Sequence, residues 1–272
     1  MNGKDVIVVI GAGGMGLAVA RRIGSGHTIM LADAFPDALD HAVTALRAEG
    51  YDAHGHRTDI TDAAAVSDLA KAAAAEGRIT AVVHTAGVSA ATATAAKIMQ
   101  VDLAGTAHVI DAFHQVATRG TSLVCISSVA GHYATLTPQQ EHALATAPTT
   151  ELLTLDTVTS VNDSMAAYIL AKRGNHVRVQ AAAPAWNRPG ARINTISPGV
   201  ISTAMSQAEA KSANGEHMMA TLTACGIGRA GTPAEIAEAV AFLAGPTSLY
   251  ITGADLLVDG GQAGWLRWHR PQ

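Results

Sequence analysis

Residues 6–16 read Val-Ile-Val-Val-Ile-Gly-Ala-Gly-Gly-Met-Gly. The apolar, mostly β-branched run is too short for a helix and suits a strand buried on both faces. The glycines follow it directly as G-x-G-x-x-G and lead into a stretch with helical spacing. In that setting each glycine has a physical use. Gly11 permits a tight turn, Gly13 lets the backbone approach an anion closely, and Gly16 lets helix and strand pack in contact. The N–H groups at the helix start, around Gly14 and Met15, then face a dinucleotide pyrophosphate. The alternative is a turn that merely joins strand to helix.

Working outward, short apolar runs recur at 28–32, 81–85, 122–127 and 191–197 and read as further buried parallel strands. Between them, 36–49, 63–76 and 94–117 carry helical spacing and are long enough for crossovers. The expected fold is α/β: a Rossmann-type doubly wound parallel sheet in a single three-layer domain over 1–272. A helix at 233–244, introduced by Thr232-Pro233-Ala234-Glu235, and a strand at 255–258 close the pattern. Residues 132–163 keep no strand pattern and read as a partly helical insertion. Residues 203–225 read as a substrate-loop region and 262–272 as a C-terminal tail.

An apolar share of 49% with 15% charged residues suits a chain with much of its length buried. A net charge of −4, from 18 basic and 22 acidic residues, offers no basic excess for nucleic acid or an anionic membrane. The 6–10 run is too short for a signal core or a span, and no other stretch reaches about 18 apolar residues. Cys125 and Cys225 cannot form a disulfide framework, so the reducing cytoplasm is expected. Twelve histidines show no metal-ligand spacing, His54-Gly55-His56 being the one tight pair, and no metal is expected. Cys225 has no histidine in recognisable spacing and reads as a buried small residue.

Asp33 ends the second run, 22 residues after Gly11, where a carboxylate can accept bonds from a ribose diol and repel a 2′-phosphate. No base follows it closely, so NAD(H) is expected over NADP(H). A solvated carboxylate before Pro36 is the plainer reading.

In Tyr168-Ile169-Leu170-Ala171-Lys172 the i, i+4 spacing sets phenol and ammonium on one helix face. A free tyrosine has a pKa near ~10, and each unit of downward shift costs about 1.4 kcal/mol, which a fixed neighbouring cation can supply. Tyr168 could then exchange a proton with an alcohol or ketone oxygen. Ser127-Ser128 stands where a strand ends, at the carboxyl edge where ligands bind in such sheets.

The ordered series of glycine loop, Asp59-Ile60, Thr85-Ala86-Gly87, Ser127-Ser128, Tyr168 to Lys172, Arg192-Ile193-Asn194 and Ser197-Pro198-Gly199 resembles the short-chain dehydrogenase/reductase family from Val6 to Gly261. The resemblance implies an NAD(H)-dependent oxidoreductase interconverting a secondary alcohol and a ketone. It implies Ser128 orienting the substrate oxygen, Tyr168 as acid/base, and Lys172 lowering the tyrosine pKa and binding the nicotinamide ribose. It further implies Asp59 and Ile60 beside the adenine, Ala86 and Gly87 along the adenosine ribose, Ile201 and Thr203 holding the carboxamide, and Thr85, Pro198 and Gly199 among the other cofactor-binding residues. A homodimer or homotetramer is the matching assembly.

Several positions depart from the family pattern. The loop is one residue shorter between Gly11 and Gly16, Thr85 replaces an Asn, and Asp102 stands where the family has an Asn whose main-chain carbonyl holds a water on the lysine. Asp102 reads equally as part of that relay and as a structural helix residue. Ser128 and Tyr168 are 40 positions apart, well beyond the family's compact spacing. Leu136, Leu144, Leu152, Leu153 and Leu155 are expected to cover an apolar substrate or a subunit contact. Met205, Met218, Met219 and Leu222 read equally as a substrate cover and as helix packing, and Trp265 and Trp268 as a subunit or substrate contact and as a loosely packed terminus.

Two other readings share these motifs. An epimerase or dehydratase of related fold usually has a larger C-terminal substrate domain, and a catalytically silent NAD(H) sensor would need only the glycine loop and Asp33. An enoyl reductase would place lysine where Asn175 stands.

Overall fold

The computed structural model describes residues 4–211, 215–224 and 226–269. Seven parallel strands form one sheet in the order β3-β2-β1-β4-β5-β6-β7. The first half runs β1 (Asp5–Ile10), α1 (Gly14–Ile23), β2 (Thr28–Asp33), α2 (Pro36–Ala48), β3 (Asp52–Arg57), α3 (Ala63–Glu76) and β4 (Arg78–His84). Then come α4 (Ala95–Ile98), a π-helical stretch (Met99–Gly105), α5 (Thr106–His114), β5 (Ser122–Ile126), α6 (Pro138–Thr146), α7 (Asp156–Thr159) and α8 (Ser164–Asn187). The chain closes with β6 (Arg192–Pro198), α9 (Ala204–Ala210), α10 (Gly215–Ala224), α11 (Pro233–Ala244), β7 (Asp255–Val258) and α12 (Gln262–Trp268).

The strand order reverses between β1 and β4, so the crossovers after them leave on opposite sides and open a crevice at their carboxyl ends. Two apolar clusters fill the two faces of the sheet. Val6, Val8 and Ile10 point into one beside α3, α5 and α8, while Ile7 and Val9 point into the other beside α1, α2 and α11. Period-two alternation in a strand covered on both sides produces this division.

Helix starts are set by side chains. Asp62 accepts from the Ala64 and Ala65 N–H groups to open α3, and Asp163 accepts from Ala166 N at 2.8 Å to open α8. Thr137 with Gln140 and Thr232 with Glu235 form capping boxes, each followed by a proline that fits the first helical turn. β3 had no sequence signal, because Asp52-Ala53-His54-Gly55-His56-Arg57 is polar and lies at the sheet edge with Ala53 its one buried residue.

The 132–163 segment folds against the body. Leu144, Leu152 and Val158 are buried in a third cluster with Ile98, Met99, Leu103, Ala167 and Leu170. Arg173 pairs with Glu141, and Arg178 donates to the carbonyls of Leu144 and Ala147. Leu144 and Leu152 are therefore core residues, covering neither a substrate nor a subunit contact, a correction to the expectation for them; Leu136, Leu153 and Leu155 are half-buried at the cluster margin. Met205 is exposed and Leu222 buried, Trp265 is half-buried and Trp268 exposed. The side chains of Met218 and Met219, and Cys225, lie outside the described residues.

Candidate active site

The glycine loop crosses the carboxyl end of β1. Gly11 has φ +109°, a region that disfavours any Cβ, and a Cβ there would lie 2.5 Å from Thr85 Oγ1. A Cβ on Gly16 would lie 1.8 Å from the Gly11 carbonyl oxygen, which fixes α1 against the loop. Gly13 differs: nothing stands within 4 Å of where its Cβ would be, and it caps α1 without a side-chain hydrogen bond. The loop thus presents an open face at a bare helix N-terminus, the arrangement a pyrophosphate requires. Thr203 reaches it too, its methyl 3.9 Å from the Cβ position of Gly14.

Neighbouring chains hold the loop in place. Asp33 Oδ2 accepts from Ala12 N at 2.7 Å, and Oδ1 accepts from Phe35 N at 3.0 Å. Thr85 Oγ1 donates toward the carbonyls of Ile10 and Gly11, and Ala86 N donates to Ile10 O. Thr85 therefore takes a structural part that links the ends of β4 and β1. Asp59 accepts from Thr61 N and Oγ1 at one oxygen, and these bonds, the backbone one foremost, hold its carboxyl below the usual range. Ile60 is buried against Gly105.

A second group of residues gathers around Lys172. Its Nζ lies 5.2 Å from the Tyr168 ring centroid and 3.5 Å from Asp102 Oδ2. Both Lys172 and Asp102 are buried, while Tyr168 and Ser128 are half-buried. Asp102 Oδ1 accepts from Val88 N at 2.8 Å. A Cβ on Gly87 would stand 3.1 Å from Asp102 Oδ1 and 3.5 Å from Lys172 Nζ, so glycine there leaves the pair room.

Asp102 reaches this place because it sits in the π-helical stretch between α4 and α5. Its main-chain carbonyl accepts from Thr106 Oγ1 at 2.8 Å, and Thr106 Oγ1 also meets His84 Nε2 at 3.0 Å. The side chain, rather than the carbonyl, makes the contact to Lys172.

Burial pushes the Asp102 carboxyl up, against the pull of Lys172 and the Val88 N–H. Burial also works against the Lys172 ammonium, but Asp102 and then Tyr168 outweigh it and raise Lys172 overall. The proton of this pair stays on Lys172, the form that both acidic neighbours stabilise. Ser127 Oγ donates to the Lys172 carbonyl at 3.0 Å and ties the end of β5 to α8. Ser128 caps the short 3-10 helix Val129–Tyr133, its Oγ accepting from Ala130 N.

On the far wall, Gly199 N donates to Val258 O, and a Cβ on Gly199 would lie 2.9 Å from Asp259 Cα, so Pro198-Gly199 passes close to β7. Ile201 is buried and bridges to Gly231, and Thr203 is tied to Ser206 by reciprocal side-chain and backbone bonds. The buried Cys125 thiol is pushed up to about 12 by burial and offers no nucleophile.

Residues 5–138 match the short chain dehydrogenase family, and residues 140–263 match a family described as enoyl-(acyl carrier protein) reductase. The short-chain dehydrogenase/reductase bsc3 of Alternaria brassicicola is 37% identical over 97% of this chain and 97% of its own. The chain belongs to the short-chain dehydrogenase/reductase family. Another member, the galactitol 2-dehydrogenase (L-tagatose-forming) of Cereibacter sphaeroides, is 30% identical over 94% of both chains. The fold is shared with the 3-alpha-hydroxysteroid dehydrogenase from Pseudomonas sp. B-0831 complexed with NADH, at TM-score 0.77 and 22% identity over 98% of this chain and 100% of that one.

Proposed function

We propose that this short-chain dehydrogenase/reductase is an NAD(H)-dependent oxidoreductase that interconverts a secondary alcohol and a ketone. The observation that carries the reading is Lys172 Nζ 5.2 Å from the Tyr168 ring, one helical turn away and pinned by buried Asp102. The named relatives add weight, since galactitol 2-dehydrogenase and D-threitol dehydrogenase from Mycolicibacterium smegmatis are named for sugar alcohols.

The open face of Gly13, the uncapped start of α1 and the close packing of Gly11 and Gly16 fit a dinucleotide. Gly14, Met15, Asp59, Ile60, Thr85, Ala86, Gly87, Pro198, Gly199, Ile201 and Thr203 would line it. Asp33, at the loop end of β2, would accept from the adenosine ribose and repel a 2′-phosphate, which favours NAD(H). When bound, the nicotinamide supplies the hydride chemistry.

The chain's residues handle the proton. Ser128 Oγ–H donates to the substrate oxygen beside the Tyr168 hydroxyl while the same Oγ goes on accepting from Ala130 N. Tyr168 accepts the alcohol proton in oxidation and returns it in reduction. Lys172 favours the phenolate, and Asp102 sets how strongly by holding the ammonium in place.

The 203–225 region would border the substrate, and the 132–163 segment would act as a fixed wall behind α8. Exposed Phe242 on α11, and exposed Leu249 and Tyr250 between α11 and edge strand β7, suit a contact in a homodimer or homotetramer. Among the described residues no helix is long and apolar enough to cross a membrane, and the free, buried Cys125 accords with the cytoplasm.

A panel of secondary alcohols and ketones, followed by NADH absorbance and repeated with NADP(H), tests this. Turnover with NAD(H), at higher kcat/KM than with NADP(H), is expected. NADH binding without turnover of any panel member would point instead to a sensor.

A further inference from the structure

Outside this constellation, three side chains distant in sequence converge on one point. His132 lies on the 3-10 helix after Ser128, His176 lies on α8 one turn beyond Lys172, and Asp255 opens β7. His132 Nε2 is 2.8 Å from Asp255 Oδ2, His176 Nε2 is 3.6 Å from Asp255 Oδ1, and one ligand atom from each residue falls within 4.8 Å of the others.

Asp255 is largely withdrawn from solvent, its side chain 12% exposed. Among the described residues its ion-pair partners are these two imidazoles and no lysine or arginine. Thr195 Oγ1 and Ser197 Oγ donate to its Oδ1 at 2.6 and 2.9 Å, which fixes the carboxylate's direction. Ser197 Oγ also meets His176 Nε2 at 2.8 Å. The pocket is thus a rigidly aimed carboxylate with two nitrogen ligands and no lysine or arginine paired to that carboxylate, although the charges of Arg173 and Lys172 are felt at His176.

We propose that His132, His176 and Asp255 bind a borderline divalent cation of the Zn²⁺ class, with water in the remaining position. Tetrahedral coordination at about 2.0–2.1 Å places donor atoms about 3.3 Å apart, so a pair at the 4.8 Å limit would have to close by about 1.5 Å, within reach of side-chain rotation. Two imidazoles and one carboxylate are the ligand chemistry such ions select over Mg²⁺ or Ca²⁺. Asp255 has its outer partners in place in Thr195 and Ser197, and half-exposed His132 gives the ion an entry path. His176 Nδ1 is buried without a hydrogen-bond partner, so the proton it takes when Nε2 binds metal is unsupported, which weakens the site relative to one with a complete outer shell. The ion would clip the start of the 132–163 segment to α8 and β7, a structural role. Sequence spacing shows nothing of it, because the ligands come from three separate elements.

The test is calorimetric titration of ZnCl₂ into the tag-free, chelator-treated full chain, with thermal unfolding alongside. One Zn²⁺ per chain and a Zn²⁺-dependent rise in Tm are expected. In His132→Ala, which alters a partly exposed side chain, binding should weaken at least about tenfold and the Tm rise should vanish. His54→Ala, on the exposed His54-Gly55-His56 pair, should bind as wild type does. Absence of stoichiometric binding to the wild type, or equal binding in His132→Ala and Asp255→Asn, would overturn the proposal and leave a hydrogen-bond network only.

Discussion

The carboxylate of Asp102 stands 3.5 Å from the ammonium of Lys172 with both groups buried, so the cation that faces Tyr168 is partly compensated from behind. A buried countercharge holds the ammonium in position and also limits how far it can favour a phenolate.

Asp102→Asn should therefore lower the pH at which alcohol oxidation reaches its plateau, by on the order of one unit, since removing a negative charge favours ionised Tyr168. A pH profile of kcat measures this. A shift to higher pH would mean that Lys172 loses its charge or its place when the carboxylate is removed.

The glycine loop separates folding from cofactor binding. Gly13→Val adds atoms where no neighbour stands within 4 Å, so thermal stability of the free chain should hold while NADH binding, read by fluorescence, falls at least about tenfold. Gly16→Ala drives a Cβ into the Gly11 carbonyl oxygen and should destabilise the chain with or without cofactor. Normal NADH affinity in Gly13→Val would remove the pyrophosphate from this loop.

Leu144→Ala should cost about 2–5 kcal/mol in chemical denaturation, because its side chain is fully buried between α6 and α8. A cost well under about 1 kcal/mol would show the 132–163 segment to be only loosely attached.

Burial pushes His84 down to about 3 and His176 down to about 4, each from an ordinary 6.5. Both are neutral when folded and take up a proton on unfolding below about pH 6.5, so stability is lost as pH falls from there. The slope should approach about 1.4 kcal/mol per pH unit for each histidine. Urea denaturation in chelator between pH 7 and 5, where the stabilisation from paired carboxylates such as Asp52 and Glu235 is still in place because it is lost only as pH falls from their ordinary 3.8 and 4.5, should show the loss. A flat profile would contradict the burial of these rings.

What the sequence made legible was local. The run at 6–16 and the Tyr168–Lys172 pair are read within one strand or one helical turn, where spacing alone fixes which side chains share a face. β3 was hidden because an edge strand needs few apolar residues, and 52–57 has almost none. In sequence Leu144 and Leu152 read as a cover for a substrate or a subunit contact, because the fastening of their segment to the body by Arg173 and Arg178 of α8 leaves no local pattern. The partnership of Asp102 with Lys172 spans three elements and depends on a π-helical stretch, which has no recognised sequence signature. His132, His176 and Asp255 were dispersed for the same reason: tertiary contact, not spacing, brings them together.

The central claim is that the Tyr168 hydroxyl moves the substrate proton. Tyr168→Phe removes that oxygen and leaves the glycine loop, Asp33 and the α8 packing intact. Turnover of the best panel substrate with NAD(H) should fall by about 10²–10⁴-fold while NADH affinity changes little. A variant that retains turnover within a few-fold of wild type would contradict the account.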